Sequence, residues 1–256
     1  MNTSLCFFFS SYLYTMQNNS IFIIDAGNSS IKVARFTDHQ LLEVQRFPSD
    51  DLTGIAAFFQ ENKGEYAISS VLSDEKTKEL QTYISGVFLL NPMVKVPLKL
   101  NYGTTNTLGM DRLCNAVFAY NHSKTDFAVV VDIGTCIKFD LIHTKDGYLG
   151  GSISPGIRLR YKALNDYTGK LPLLSNKSLV DYVGTSTELS IQSGVMNGIN
   201  AEINEMIRQY RERFVGLTFF MTGGDTQNFD ILPKNDIFAV ENLTLIGLYE
   251  IYQQNA

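Results

Sequence analysis

Two stretches of this sequence repeat one pattern, in which a nearly all-apolar run ends in Asp-x-Gly and a second run follows at once. The first reads IFIIDAGNSSIKVARF over residues 21–36, and the second reads FAVVVDIGTCIKFDLI over residues 127–142. An ordinary hairpin needs no carboxylate at the end of a buried strand, so Asp25 and Asp132 call for an explanation. Because the repeats lie about half the chain apart, they predict two halves of similar construction.

The rest of the chain alternates short apolar runs with amphipathic segments, which predicts an α/β protein. Strands are predicted over residues 67–72, 87–90 and 217–221. Helical spacing of apolar residues predicts helices over residues 53–62, 74–84, 111–122, 195–214 and 242–253. No low-complexity linker separates the halves, so we expect them to share a cleft.

Composition restricts the class of partner and the compartment. A net charge of -5 and a pI near 5.2 argue against nucleic acid, and 45% hydrophobic with 18% charged residues is globular and not membrane-like. The three cysteines, Cys6, Cys114 and Cys136, lack CxxC spacing. They favour free thiols in a reducing, cytoplasmic compartment over a disulfide scaffold or zinc site.

Residues 1–20 form a separate N-terminal segment with an apolar run at residues 5–14. No Lys or Arg precedes this run, no small-residue cleavage site follows it, and it is far shorter than a membrane span of about 20 residues. We interpret the segment as an extension that precedes the folded protein, with Met16 as a second candidate start. A weak export signal is the alternative.

The Asp-Gly turns suit a phosphate group and its metal. Small residues let backbone N–H groups approach phosphate oxygens, and a carboxylate can hold the cation that neutralises the phosphate. A third Gly-rich turn, TGGD at residues 222–225, also follows a predicted strand. The alternative is that each Asp only begins a tight turn. Signatures of P-loop proteins and protein kinases do not occur.

Three further motifs narrow the family. They read YGTTNTLGMDR at residues 102–112, GGSISPGIRLRYKALNDYTGKLP at 150–172 and GTSTELSIQSG at 184–194. Together with DAGNSSIK, DIGTCIKFD and TGGD, they resemble the type III pantothenate kinases of the acetate kinase, sugar kinase, Hsp70 and actin superfamily. The resemblance implies two related ribonuclease-H-like (actin-like ATPase) domains with a central cleft, expected here over residues 21–121 and 122–256.

The resemblance also implies roles for individual residues. Thr135 would contact ATP in the second phosphate loop, Asp132 would hold a monovalent cation, K⁺ or NH₄⁺, and Asp111 would be the general base. The first ATP-phosphate loop would consist of Asp25, Ala26, Gly27, Asn28, Ser29, Ser30, Ile31 and Lys32. The pantothenate pocket would be lined by Tyr102, Gly109, Met110, Asp111, Arg112 and Thr187.

Three features depart from the family pattern. Ser29 replaces the usual Thr, residues 1–19 have no counterpart, and Lys138 stands where a small or hydroxylated residue is more usual. Lys138 is expected either to contact phosphate or to point to solvent, and none of the three features is expected to touch Asp111. Cys114 and Cys136 are expected to be buried packing residues. The histidines are expected at the surface or at helix ends: His39, His122 and His143.

The implied function is the phosphorylation of the primary hydroxyl of pantothenate by ATP and Mg²⁺, the first step towards coenzyme A. The family acts as a homodimer with its substrate site near the dimer interface, and neither nucleic acid nor a membrane is expected as a partner. Alternatives on the same fold are a kinase of another small hydroxylated acid or sugar, a non-catalytic regulator and, more remotely, an actin-like filament.

Overall fold

The structure, a computed structural model, describes residues 20–27, 30–84, 86–91, 93–231 and 235–256. The N-terminal extension up to residue 19, including Cys6, and the loop residues Asn28 and Ser29 lie outside the described residues. No helix in the described part of the chain is long and apolar enough to span a bilayer.

In the described part of the chain, ten strands form two sheets of five. The first sheet contains β1 (Ile21–Ala26), β2 (Ser30–Thr37), β3 (Gln40–Pro48), β4 (Glu65–Ser70) and β5 (Phe88–Leu89). The second contains β6 (Phe127–Ile133), β7 (Cys136–His143), β8 (Gly147–Pro155), β9 (Leu217–Thr222) and β10 (Ile237–Ala239). Their spatial orders, β3-β2-β1-β4-β5 and β8-β7-β6-β9-β10, are the same when each sheet is numbered from its own first strand.

The repeat in the sequence therefore corresponds to a repeat in topology. In each sheet the first strand pairs antiparallel with the second and parallel with the fourth. The register places Asp25 opposite Lys32 in the first sheet and Asp132 opposite Lys138 in the second. This is the two-domain ribonuclease-H-like fold, with Asp25 and Asp132 at equivalent positions. The division at residue 121/122 stays a prediction.

Among the residues that the structure describes, six α-helices cover the sheets. They are α1 (Leu52–Glu61), α2 (Asp74–Thr82), α3 (Met110–His122), α4 (Ile157–Asp166), α5 (Thr187–Arg213) and α6 (Leu243–Asn255). Helices α3 and α6 each follow the fifth strand of their sheet and pack against each other between the halves. A Cβ atom at Gly247 would lie 2.1 Å from the carbonyl oxygen of Cys114. Glycine at this position therefore allows the two helix backbones to approach closely.

The described residues form three apolar clusters. One joins α1 and α2 to the outer face of the first sheet, and another joins α4 and α5 to the outer face of the second. The third contains residues of both sheets together with α3 and α6. Because this central cluster is shared, burial of its apolar surface holds the two halves together.

The predicted elements are present with shifted ends. The largest difference is α5, which begins at Thr187, whereas the helix was predicted from residue 195. The sequence pattern missed this start because the first turn, Thr187 to Ser190, is exposed and mostly polar, while Ser186 caps the helix by accepting a hydrogen bond from the Leu189 N–H. Strands β3, β8 and β10 and helix α4 were not predicted.

Candidate active site

Asp25 is the fifth residue of β1 and lies near the carboxyl end of that strand. The turn that follows is closed by a 3.1 Å hydrogen bond from the Gly27 N–H to the Ser30 carbonyl. The side chains of Ala26 and Ile31 are buried in the core of the first half, so only their backbone could face a ligand. Ligands of open α/β sheets bind outside the carboxyl ends of the strands, which is where Asp25 lies.

The turn after β6 is held by two other Gly-rich turns. The Gly156 N–H donates to the Thr135 carbonyl at 3.0 Å, and the Asp225 N–H donates to the Ile133 carbonyl at 3.0 Å. Gly223 has a φ of +101°, and a Cβ atom there would lie 2.2 Å from the Ile133 carbonyl oxygen. The TGGD turn therefore requires glycine, and the exposed Thr135 is held at the surface by fixed neighbours.

Asp111 lies in the first turn of α3. Its Oδ1 accepts a 2.9 Å hydrogen bond from the Arg112 N–H, which fixes the carboxylate against the helix N-terminus. Its side chain remains 46% exposed. The carboxylate can therefore be reached by a substrate hydroxyl that enters the cleft.

Lys138 links this helix to the second sheet. Its Nζ lies 2.5 Å from Oδ2 of Asp111 and 2.7 Å from Oδ2 of Asp132, and its side chain is only 13% exposed. The expectation that Lys138 does not touch Asp111 is wrong. A lysine on β7 is expected to point to solvent only when nothing faces it, and here the N-terminus of α3 covers that face of the sheet.

The charges of this cluster shift its ionisation. Burial raises the pKa of Asp111, but the positive charge and hydrogen bond of Lys138 outweigh burial, so this pKa lies below its ordinary value. Burial lowers the pKa of Lys138, but Asp132 and Asp111 raise it by more. Burial raises the pKa of Asp25, and the charge of Lys32 only partly offsets that effect. Asp111 and Lys138 are therefore both charged at neutral pH.

Arg112 is buried behind Asp111 and faces β7 and β8. Its Nε donates to Oδ1 of Asp140 at 2.9 Å, and the Tyr148 hydroxyl donates to the same oxygen at 2.7 Å. The guanidinium carbon lies 5.8 Å from the ring centroids of both Tyr102 and Tyr148. Burial lowers the pKa of Arg112, but the hydrogen bond and charge of Asp140 raise it above its ordinary value.

Sequence reasoning assigned no role to Asp140 and Tyr148, although both help to hold Arg112. A signal for Asp140 was present, because it is a carboxylate in the middle of the apolar run IKFDLI. Such a residue is almost never fully buried unless it is paired. Nothing in the sequence identified its partner, which is 28 residues away along the chain.

Thr187, the remaining predicted pocket residue, is exposed at the start of α5. It lines a surface pocket of about 500 Å³ together with Leu164, Leu171, Ser190, Ile191 and Gly194. In the described part of the chain no hydrogen bond or ion pair joins it to Asp111 or Arg112. The protomer therefore does not bring Thr187 into the same contact network as the other predicted pocket residues.

The remaining expectations concern cysteines and histidines. Cys114 is buried, as predicted, whereas Cys136 is half-buried, because β7 begins there at the rim of the cleft. His122 ends α3, and its Nε2 lies 2.6 Å from Glu250. His39 contacts the Tyr249 hydroxyl, and His143 lies 2.6 Å from Asp146. All three histidines lie away from the carboxylate cluster.

The arrangement is suited to binding a polyphosphate. Two equivalent strand ends carry carboxylates, fixed Gly-rich turns supply backbone N–H groups, and an accessible carboxylate lies beside them on α3. Together, the fold and this site define a phosphotransferase of the actin-like ATPase superfamily, with two ribonuclease-H-like halves.

Comparison with known proteins identifies the family. A sequence profile described as type III pantothenate kinase matches residues 21–209. The chain is 37% identical over 239 residues to a type III pantothenate kinase of Christiangramia forsetii, covering 91% of this chain and 98% of that protein. It is 39% identical over 237 residues to one of Phocaeicola vulgatus, with the same two coverages. The chain belongs to the type III pantothenate kinase family.

Solved structures share the fold at lower identity. A Campylobacter jejuni protein assigned to the Baf family of transcriptional activators superposes with a TM-score of 0.58 at 23% identity, covering 91% of this chain and 98% of that one. A Listeria monocytogenes protein assigned as an N-acetylmannosamine kinase superposes with a TM-score of 0.52 at 13% identity, covering 93% and 100%.

Proposed function

We propose that this chain transfers the γ-phosphoryl group of ATP to the primary hydroxyl of pantothenate and releases ADP and 4′-phosphopantothenate. Membership of the type III pantothenate kinase family supports this class of reaction, a phosphoryl transfer. The observation that carries the mechanism is the half-exposed, ionised carboxylate of Asp111 beside the two phosphate turns.

Asp111 acts as the general base. As the pantothenate oxygen bonds to the γ-phosphorus and the bond from phosphorus to the β,γ-bridging oxygen breaks, the hydroxyl proton passes to the carboxylate of Asp111. The 2.9 Å hydrogen bond from the Arg112 N–H and the 2.5 Å contact with Lys138 hold this carboxylate in place. Most of the rate acceleration then comes from positioning and from charges fixed before the reaction.

The two Asp-Gly turns hold the phosphate chain. Backbone N–H groups of the first loop and the hydroxyl of Thr135 donate to phosphate oxygens, and Lys32 supplies a positive charge on β2. The roles proposed for Asn28 and Ser29 rest on the sequence alone, because both residues lie outside the described part of the chain.

The residues present fit a magnesium ion that arrives with ATP. Among the described residues, no group of three or more His, Cys, Asp or Glu side chains is placed to hold a metal alone. Mg²⁺ usually binds one or two carboxylates together with substrate phosphates and water, which matches Asp25 at the mouth of the first loop. When bound, it neutralises charge that develops on the phosphate oxygens.

The residues present do not fit a separate monovalent cation at Asp132. The Oδ2 atom of that carboxylate is already 2.7 Å from the ammonium group of Lys138. The proposed reaction therefore uses no K⁺ or NH₄⁺ at Asp132.

Arg112 and Tyr102 form one wall of the pantothenate pocket. Nη2 of Arg112 is buried and lies 2.7 Å from Oδ1 of Asp140, so this ion pair fixes the guanidinium beside Tyr102. The positive charge of this fixed guanidinium would attract the carboxylate or an amide oxygen of pantothenate. Gly109 and Met110 contribute the turn that leads into Asp111.

We also propose that the chain is a homodimer that joins through the segment between α4 and α5. This segment follows the first turns of α5, because Ser193 donates to the Tyr182 carbonyl at 2.9 Å and Asn197 donates to the Val180 carbonyl at 3.1 Å. It leaves Tyr182 80% and Val183 73% exposed. An exposed apolar surface of this kind commonly marks an interface, and Thr187 lies at its edge.

The double substitution Tyr182→Asp and Val183→Asp is expected to give a monomer with little kinase activity. Burying two carboxylates without partners opposes association, whereas the protomer fold loses no buried contact. Sedimentation velocity and a coupled ADP assay would measure both effects. The matched control is Val215→Asp, which changes an equally apolar side chain, 90% exposed, outside this segment. A wild-type protein that sediments as a monomer would contradict the proposal.

The substrate is tested by measuring ADP release with Mg-ATP and either pantothenate or a panel of sugars and hydroxy acids. Release with pantothenate alone is expected, together with a product heavier by one phosphoryl group in mass spectrometry. Turnover of a sugar instead would favour the related kinase, and no turnover by the folded protein with any acceptor would favour the regulator.

A further inference from the structure

We propose that the Lys138 ammonium group is the built-in monovalent cation of this site, so that catalysis by this chain needs no added K⁺ or NH₄⁺. The inference rests on the proposed function and concerns how Asp111 and Asp132 are held together. Lys138 would then be a positioning residue that acts on the reaction through Asp111.

The strand register fixes where this ammonium group lies. Asp132 and Lys138 are directly opposite each other on β6 and β7, in the place that Asp25 and Lys32 take on β1 and β2. The lysine is thus built into the strand pair and does not reach in from a surface loop. In the second half a helix N-terminus lies over the strand pair and adds the carboxylate of Asp111.

The contacts of Lys138 are those of a bound cation. Its Nζ lies 2.5 Å from one carboxylate and 2.7 Å from another, and these carboxylates belong to different parts of the site. The side chain is 13% exposed, so water screens the interaction poorly. Without a positive charge between them, Asp111 and Asp132 would repel each other and would also face the phosphate chain of ATP.

The position also excludes a second cation. A K⁺ ion would need oxygen ligands in the space that Nζ occupies, and the facing oxygens of both carboxylates already accept from the ammonium group. A covalently attached charge is present at every salt concentration. The structure therefore predicts that K⁺ can enter only when the lysine side chain is removed.

Two substitutions distinguish the effect of the Lys138 charge from the effect of the volume that its side chain fills. Lys138→Met removes the charge but fills the same volume, whereas Lys138→Thr removes the charge and opens the position to an ion. The control, Lys78→Met, changes an exposed lysine on α2 that is remote from the site. Activity with pantothenate and the thermal midpoint would be measured in KCl, in NH₄Cl and in choline chloride at equal ionic strength.

We expect wild type and Lys78→Met to have the same kcat in all three salts. Lys138→Thr is expected to lose about 100-fold in kcat in choline chloride, the size of loss seen when one preorganised charge or donor is removed. KCl should restore most of that loss and raise the thermal midpoint of this variant, because an ion that binds only the folded state stabilises it. Lys138→Met should lose activity in every salt.

A wild-type enzyme that phosphorylates pantothenate only with K⁺ would overturn the inference and leave the proposed function intact. Full activity of Lys138→Thr in choline chloride would also overturn the inference. A rise in the thermal midpoint of wild type on adding K⁺ that is as large as the rise for Lys138→Thr would do the same. If Lys138→Thr does not fold, the salt dependence of wild type alone decides the question. Absence of pantothenate turnover in every salt would count against the function itself.

Discussion

Replacing Asp111 by Asn is expected to lower kcat about 10²–10⁴-fold, the range typical of a lost general acid or base. The amide keeps the size of the side chain and can still accept from the Arg112 N–H, but it cannot take the proton of the pantothenate hydroxyl. ATP binding should change little, because the proposed phosphate contacts come from the turns after β1 and β6 and not from the Asp111 side chain. Single-turnover kinetics and calorimetric titration with Mg-ATP would measure the two effects independently.

Asp111→Glu is the control for geometry in this experiment. It keeps the charge and the ion pair with Lys138 but moves the carboxylate by one methylene, so we expect a smaller loss of kcat than with Asn. Lys138 still pairs with Asp132 in both variants, which should preserve the fold. Near wild-type kcat in Asp111→Asn would contradict the role of Asp111 as base, and loss of the circular dichroism signal would assign the effect to folding.

Replacing Asp140 by Asn is expected to lower the free energy of unfolding by about 3–5 kcal/mol, the usual cost of breaking a buried ion pair on one side. The side chains of Asp140 and Arg112 are 0% and 6% exposed. An amide oxygen could still accept from Arg112, but its neutral group would leave the buried guanidinium without a counter-charge. Urea unfolding followed by circular dichroism would measure the change.

The double variant Arg112→Met and Asp140→Leu distinguishes stability from function. Removing both charges together is often neutral for stability, so we expect most of the lost free energy of unfolding to return. Kinase activity should stay low, because the proposed pantothenate pocket has lost its guanidinium. Glu205→Gln, in an exposed pair with Arg208 on α5, is the control and should leave the unfolding midpoint unchanged. A stable and fully active double variant would contradict the role of Arg112.

Much of the architecture could be predicted because it depends on patterns of residues that are close together in the sequence. The two Asp-x-Gly turns after apolar strands predicted two similar halves, and the common strand order of both sheets agrees with that prediction. Helices α3 and α6 were predicted to within two residues at either end, because their apolar residues recur at helical spacing. The start of α5 was missed because an exposed polar first turn carries no such periodicity.

The order of the motifs along the chain was also sufficient to indicate the family, because GMDR, DIGT and TGGD can each be recognised as short segments. These motifs gave Asp25, Asp111 and Asp132 as candidate site residues. The motifs could not predict which charged groups would come into contact. Lys138 and Asp111 are 27 residues apart in sequence, and their contact depends on how the N-terminus of α3 packs on the strand pair.

The sequence by itself therefore determined the two-halved α/β fold and gave the Gly-rich turns and the carboxylates beside them as candidates for the site. Only the tertiary structure decided that Lys138 lies between Asp111 and Asp132 and that Asp140 and Tyr148 hold Arg112. The physical reason is that hydrophobic periodicity and turn chemistry act between neighbours along the chain. The pairing of buried charges is set only when the central core brings α3 against the second sheet and excludes water from both.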